Sequence, residues 1–260
     1  MTSPSLERLR SDLRELAEPK VRAQLERVLS PAADDELLGV RVPVLRRLAR
    51  SYRGLRPVEV EDLLAGRVHD ERFVALLVLA EQMRLAPDRA AREKLVDFYL
   101  AHTHRVDNWD LVDGSAPVVL GTWLLHEPLD VLDRLAASTS LWERRIAVVA
   151  TLTLIRAGRY RPTFSLVVAL RQDPEPLIHK ALGWMLREIG RHDEPALADF
   201  LDCHAPGLPR ITVRHATERM TPELRARFVR QGGGARGIRH VSGCGEPTLG
   251  EAGEAGGTAW

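Results

Sequence analysis

Leu177-Ile178-His179-Lys180-Ala181-Leu182-Gly183-Trp184-Met185-Leu186-Arg187-Glu188, followed by Ile189, spaces its apolar residues by three and four. Ile178, Ala181, Leu182, Met185 and Ile189 fall on one stripe of a helix, and Lys180, Trp184, Arg187 and Glu188 share another face. The same spacing returns in Arg72 to Met83, Arg89 to Ala101 and Trp142 to Ile155. Pro43, Pro57, Pro128, Pro162, Pro195 and Pro222 sit where a first helical turn tolerates a missing N–H, and Gly54, Gly66, Gly158 and Gly190 where helices should end. No stretch alternates convincingly as a strand would. The expected fold is all-α.

The helices come in pairs. First helices starting near residues 43, 69, 107, 140, 174 and 209 are spaced, after the first step, by roughly 35 residues, a length typical of two-helix solenoid repeats. Each hairpin leaves one apolar face bare, and stacking on its neighbours covers it. A small rotation per repeat curves the stack, so one helix of each pair lines a concave wall. Trp109, Asp113, Arg145, Trp184 and Arg214 then fall on corresponding helices.

A chain of 260 residues with 45% hydrophobic and 28% charged residues has ample material for a core, in one elongated domain or two small ones. Its net charge of +1 excludes a generally basic nucleic-acid binder, so any such surface must come from local segregation. Residues 205 to 240 carry eight arginines against Glu218 and Glu223, which reads either as a solvated face or as a polyanion contact. Cys203 and Cys244 are too few for a disulfide framework or a four-cysteine cluster, and a reducing, cytoplasmic setting is expected. Charges run through the first twenty residues, and no stretch reaches the roughly eighteen apolar residues of a membrane span. Ten of the nineteen glycines lie in residues 231–260, which read as a flexible tail behind a folded unit of residues 1–230.

Asn108-Trp109-Asp110-Leu111-Val112-Asp113 carries the chemistry. Asp107 is placed to cap the helix and Asp110 to act as a capping-box analogue, so two acids have structural explanations. Asp113 lies one turn deeper on the face of Trp109, before Gly114 and Pro117, which should bend or end the helix. It is either a functional carboxylate or the partner of an arginine in a neighbouring repeat. Trp184 leans away from its helix's apolar stripe beside cations, as a nucleic-acid contact or as packing against an adjacent helix. Trp123 and Trp142 are expected to pack. His102, His104 and His179 lack partners at metal-ligand spacing, so no metal and no cofactor is expected. Indoles, one acid and arginines on a concave helical wall suit DNA and a positive charge developing on its sugar.

These residues also match a family. Leu38 to Pro43, His69 to Leu76, Asn108 to Asp113, Leu141 to Arg145, Leu177 to Glu188 and Pro209 to Ala216 together resemble, over roughly residues 30 to 230, the DNA alkylation repair family of helical-repeat DNA glycosylases. The resemblance implies about six HEAT-like repeats. It implies hydrolytic excision of 3-methyladenine and 7-methylguanine from duplex DNA in base excision repair, by a monofunctional enzyme that leaves the lesion stacked and works from the backbone side. Asp113, Trp109 and Trp184 take the catalytic places, and Arg145 rather than Arg144 takes that of the phosphate-binding arginine. Arg144, Lys180, Arg187, Arg210 and Arg214 are the further DNA-binding candidates of a monomer acting on duplex DNA, without membrane association. Members often carry an aromatic residue where this chain has Asn108, and the first 51 residues hold no Phe, Tyr or Trp. A non-catalytic DNA-binding protein and a protein-interaction scaffold are the alternatives, since solenoids serve all three.

Overall fold

The computed structural model describes residues 6–29 and 35–232, and among them it holds fourteen α-helices and no sheet beyond one isolated Glu36–Val68 bridge. A helix pair, α1 (Leu6–Glu15) and α2 (Pro19–Val28), precedes the expected array. The six expected pairs then follow. They are α3 (Val42–Ser51) with α4 (Pro57–Ala65), α5 (His69–Leu85) with α6 (Arg89–Ala101), and α7 (Trp109–Trp123) with α8 (Asp130–Ala136). The array continues with α9 (Leu141–Arg156) and α10 (Arg161–Leu170), α11 (Pro176–His192) and α12 (Glu194–His204), and α13 (Arg210–Ala216) and α14 (Pro222–Gln231). Each first helix begins within two residues of its expected start.

The first helices stack directly on one another from α3 to α13, whereas the second helices touch each other sparsely and pack mainly on first helices. Tight spacing along one row and open spacing along the other bend the stack into a curved solenoid whose inner wall is the row of first helices. Helices flanked on both sides and from behind must be apolar nearly all round. Accordingly, α5 is buried from His69 to Ala80 and α9 from Arg145 to Leu152. Terminal helices meet fewer neighbours, and in α2 only Val21 is buried. No helix among the described residues is long and apolar enough to cross a membrane.

Close approach along the inner row depends on missing side chains. A Cβ at Gly183 would lie 2.6 Å from His215 Cβ and 2.7 Å from the Thr212 carbonyl, so α11 meets α13 backbone to backbone there. At Gly114 a Cβ would lie 2.5 Å from the Phe73 ring, so this glycine seats α7 on α5 and does not end the helix.

Three boundary expectations are corrected. Pro117 lies inside α7, which runs on to Trp123 because it is packed between α5 and α9 and because Thr153 donates to the Pro117 carbonyl. Gly190 lies inside α11, held against Leu197, and the helix ends at His192. Pro128 stands before α8, whose cap position is Leu129. Toward the carboxy terminus, α14 includes Gln231, and the rest of the expected tail, from residue 233 with Cys244, lies outside the described residues.

Candidate active site

The first turn of α7 is clamped from several directions. Asn108 is its cap, the side chain accepting from the Trp109 N–H at 2.9 Å and the carbonyl from Val112 at 3.2 Å. Asp107 therefore does not cap, contrary to expectation; it pairs with Arg72 of α5 at 3.3 Å. Nor does Asp110 close a capping box. It accepts its neighbour Leu111's N–H at 2.9 Å and lies 2.8 Å from Nε2 of the buried His69. The half-buried Trp109 donates its indole N–H to the Val28 carbonyl at the end of α2, at 3.2 Å.

One turn deeper, Asp113 meets Arg145 of the next first helix. Arg145 Nε donates to Oδ1 at 3.0 Å and Nη2 to Oδ2 at 2.8 Å, a bidentate fork. The third nitrogen, Nη1, donates to the Leu177 carbonyl at the start of α11, at 2.7 Å. The inter-repeat ion pair that sequence allowed for Asp113 is thus real. It does not remove the carboxylate from the surface, because the Asp113 side chain keeps 18% of its exposure while that of Arg145 keeps 6%. Burial pushes the Asp113 carboxyl above its ordinary value, the Arg145 guanidinium works against that rise, and the charge of Asp110 adds to it. Pro117 lacks the N–H that would otherwise bond the Asp113 carbonyl within the helix.

Trp184 lies on α11 about two turns beyond Leu177. Half-buried against the core, it donates its indole N–H to Glu188 Oε1 at 3.3 Å. Among the described residues no hydrogen bond joins it to Asp113 or Trp109, so what relates the three is their placement on first helices of the inner row. Trp123 and Trp142 pack partly buried against the core, and the Arg89 guanidinium lies 5.0 Å from the Trp123 ring centre.

The cationic candidates divide. Lys180 and Arg214 are exposed and form no ion pair among the described residues. Arg210 is exposed and donates to the Gly232 carbonyl at 3.4 Å, and Arg187 pairs with Glu218. Arg144, expected as a DNA contact, is held by other parts of the protein. Its guanidinium grips Asp173 at 2.6 and 3.2 Å and donates to the carbonyls of Ser138 and Thr139, which pins two inter-helix loops. Arg145, expected to reach a phosphate, is buried with all three nitrogens occupied.

Several supporting residues escaped the sequence reading. Asp70 accepts from the backbone N–H groups of Leu38 and Val40 at 2.8 Å each, and Arg72 binds both Asp35 oxygens at 2.8 Å. The signal was the run His69-Asp70-Glu71-Arg72, four titratable residues opening a helix that is then apolar from Phe73 to Ala80. Such a run inside a core must be spent on partners. Exposed Arg46, Arg47 and Arg50 on α3 were likewise passed over.

Comparison with known proteins agrees with this architecture. The sequence profile of the family described as "DNA alkylation repair enzyme" matches residues 9–220. Among solved structures, the chain is similar to a "Predicted DNA alkylation repair enzyme from Enterococcus faecalis", with a TM-score of 0.65 and 16% identity over 79% of this chain and 97% of that one, a likeness of fold. No curated protein matches by sequence. With the profile spanning most of the solenoid, including every turn of the site, the chain belongs to the DNA alkylation repair enzyme family, and its role lies in DNA repair.

Proposed function

We propose that this protein is a monofunctional DNA glycosylase that hydrolyses the N-glycosidic bond of positively charged alkylated purines, such as 3-methyladenine and 7-methylguanine, in duplex DNA. The observation that carries this reading is Asp113, a carboxylate fixed through both oxygens yet partly exposed, one helical turn from a half-buried indole on the inner wall.

A purine alkylated at N3 or N7 already bears a positive charge. When its bond to C1′ breaks, the bonding pair stays on the base, which leaves neutral, so no general acid has to activate it. The difficulty lies on the sugar, where cationic, oxocarbenium-like character develops. A preorganised carboxylate stabilises that charge without reorienting, and it can also take the proton of the water that adds to C1′. Trp109 and Trp184 present aromatic faces to the same cationic sugar. No lysine attack enters the reaction, so the strand stays intact. Lys180, Arg187, Arg210 and Arg214 hold the backbone phosphates, which gives affinity and register but no chemistry.

The test incubates purified protein with methylated duplex DNA and identifies the freed bases by chromatography. Wild type is expected to release both bases. Asp113→Asn should release them at least about 100-fold more slowly while still binding the duplex. Equal release by wild type and variant would overturn the role of Asp113. Salt-sensitive duplex binding with no release would mark a non-catalytic DNA-binding protein, and no affinity for duplex would mark a scaffold.

A further inference from the structure

Resting on the reading of the inner wall as a duplex-DNA surface, we propose that His215 is a further ligand of a backbone phosphate, seated among Lys180, Arg187 and Arg214 and gaining a proton when the phosphate arrives. Its seat is made by a missing side chain. A Cβ at Gly183 would lie 2.6 Å from His215 Cβ, so His215 fills the gap that this glycine leaves in α11. Lys180 precedes that gap by three residues and Arg187 follows it by four, which places one cation a helical turn to either side. Arg214 stands next to His215 on α13. Thr212 Oγ1 donates to the His179 carbonyl at 3.1 Å, which holds the two helices in this register. Trp184 adjoins the gap on α11, so the cluster lies beside an indole that the proposed mechanism sets against the sugar.

His215 is half-buried, yet among the described residues its ring makes no hydrogen bond or ion pair, and neither ring nitrogen is sealed from water. Burial lowers its pKa most, and the charges of Arg214 on α13 and of Arg187 and Lys180 on α11 lower it further. Glu218, just past α13, works the other way but is itself paired with Arg187. α14, which also packs on α13, adds no charge to that set. Free His215 is therefore neutral at neutral pH. A phosphate entering among the three cations cancels their repulsion and adds an opposite charge, so the complex favours the imidazolium. One proton from solvent goes to an open ring nitrogen, which then donates to a phosphate oxygen. An arginine at this position would repel three neighbours in the free protein, whereas a histidine carries its charge only in the complex. Because the free value is low and the bound value higher, duplex affinity rises as pH falls between the two.

Undamaged duplex is the probe, so the test needs no bond cleavage. Affinity is measured by fluorescence anisotropy from about pH 8 down to about pH 5.5, on either side of the ordinary histidine value. It should rise about tenfold more for wild type than for His215→Gln, the equivalent of one pKa unit between free and bound histidine. Comparing the two proteins removes what Asp113 and the other histidines contribute. At about pH 5.5 the salt slope of wild type should exceed that of the glutamine variant by up to about 0.9, and at about pH 8 the two should converge, since only imidazolium makes the contact. His215→Lys, charged throughout, should keep the higher slope at both pH values. Carbon NMR of wild type should show His215 titrating below the ordinary histidine value when free and at higher pH in the complex. If the glutamine variant does not fold, that titration decides. Equal pH dependence of wild type and His215→Gln, or a titration that duplex leaves unmoved, would overturn the inference while duplex binding stands. Proton-linked duplex binding without base release sinks the glycosylase reading alone, and no duplex binding at any pH sinks both.

Discussion

Arg72 has no exposed surface, yet it holds Asp35 with two nitrogens, reaches Asp107 beside the α7 cap, and bonds the Gly66 carbonyl. Replacing it with methionine fills the space and strands those partners, so Arg72→Met should lower stability by about 3–5 kcal/mol, read from the urea midpoint. An unchanged midpoint would show the network to be dispensable. Asp113 supplies a pH prediction whose sign follows from its environment. On the proposed mechanism the ionised carboxylate is required, and burial raises its pKa, so activity should fail on acidification sooner than for an ordinary aspartate. A pH–rate profile whose acid limb lies at or below the ordinary aspartate range would contradict this. Which residues were candidates was visible in the sequence, but their partners were not. Asn108 displaced Asp107 as the cap, and Arg144 went to a loop while its neighbour Arg145 took Asp113.

Between elements, contact is set as much by what is missing as by what packs. Gly183→Ala drives a methyl group into the backbone of α13, and overpacking of this kind costs about 1–3 kcal/mol. Denaturant titration checks it, and a neutral result would mean that α13 can retreat freely. At the amino-terminal end Tyr52, just past α3, bonds Asp12 of α1, and burial together with that carboxylate pushes its phenol up to about 12. A pKa raised in the folded state stabilises below the unfolded value and is lost as pH climbs toward the folded one. Docking of α1 should therefore weaken between pH 10 and about 12, and Tyr52→Phe should remove that alkaline transition. A transition that persists in the phenylalanine variant would assign it elsewhere. The element starts were legible because prolines and apolar spacing act locally. Helix ends failed at Pro117 and Gly190, where tertiary packing outweighs local preference.

As a whole, the molecule is a one-dimensional stack, so protection should follow the number of neighbours. Hydrogen exchange is expected to be fastest in α2, with only Val21 buried, and slowest in α9. Slow exchange in α2 would contradict that gradient. With a net charge of +1, duplex affinity has to come from local cations, so the double variant Lys180→Ala, Arg214→Ala should reduce the salt slope by up to about 1.8. An unchanged slope would take both residues out of the DNA contact. By itself the sequence determined the all-helical repeat, its period and the inner-row placement of Trp109, Asp113, Arg145 and Trp184, because helical spacing and helix-start signals depend on near neighbours along the chain. Only the tertiary structure decided that Arg145 faces a carboxylate and a carbonyl, that α2 tethers Trp109, and that α7 runs through a proline. Each of these depends on groups from different repeats meeting where water is scarce and every buried polar atom must find an acceptor or donor.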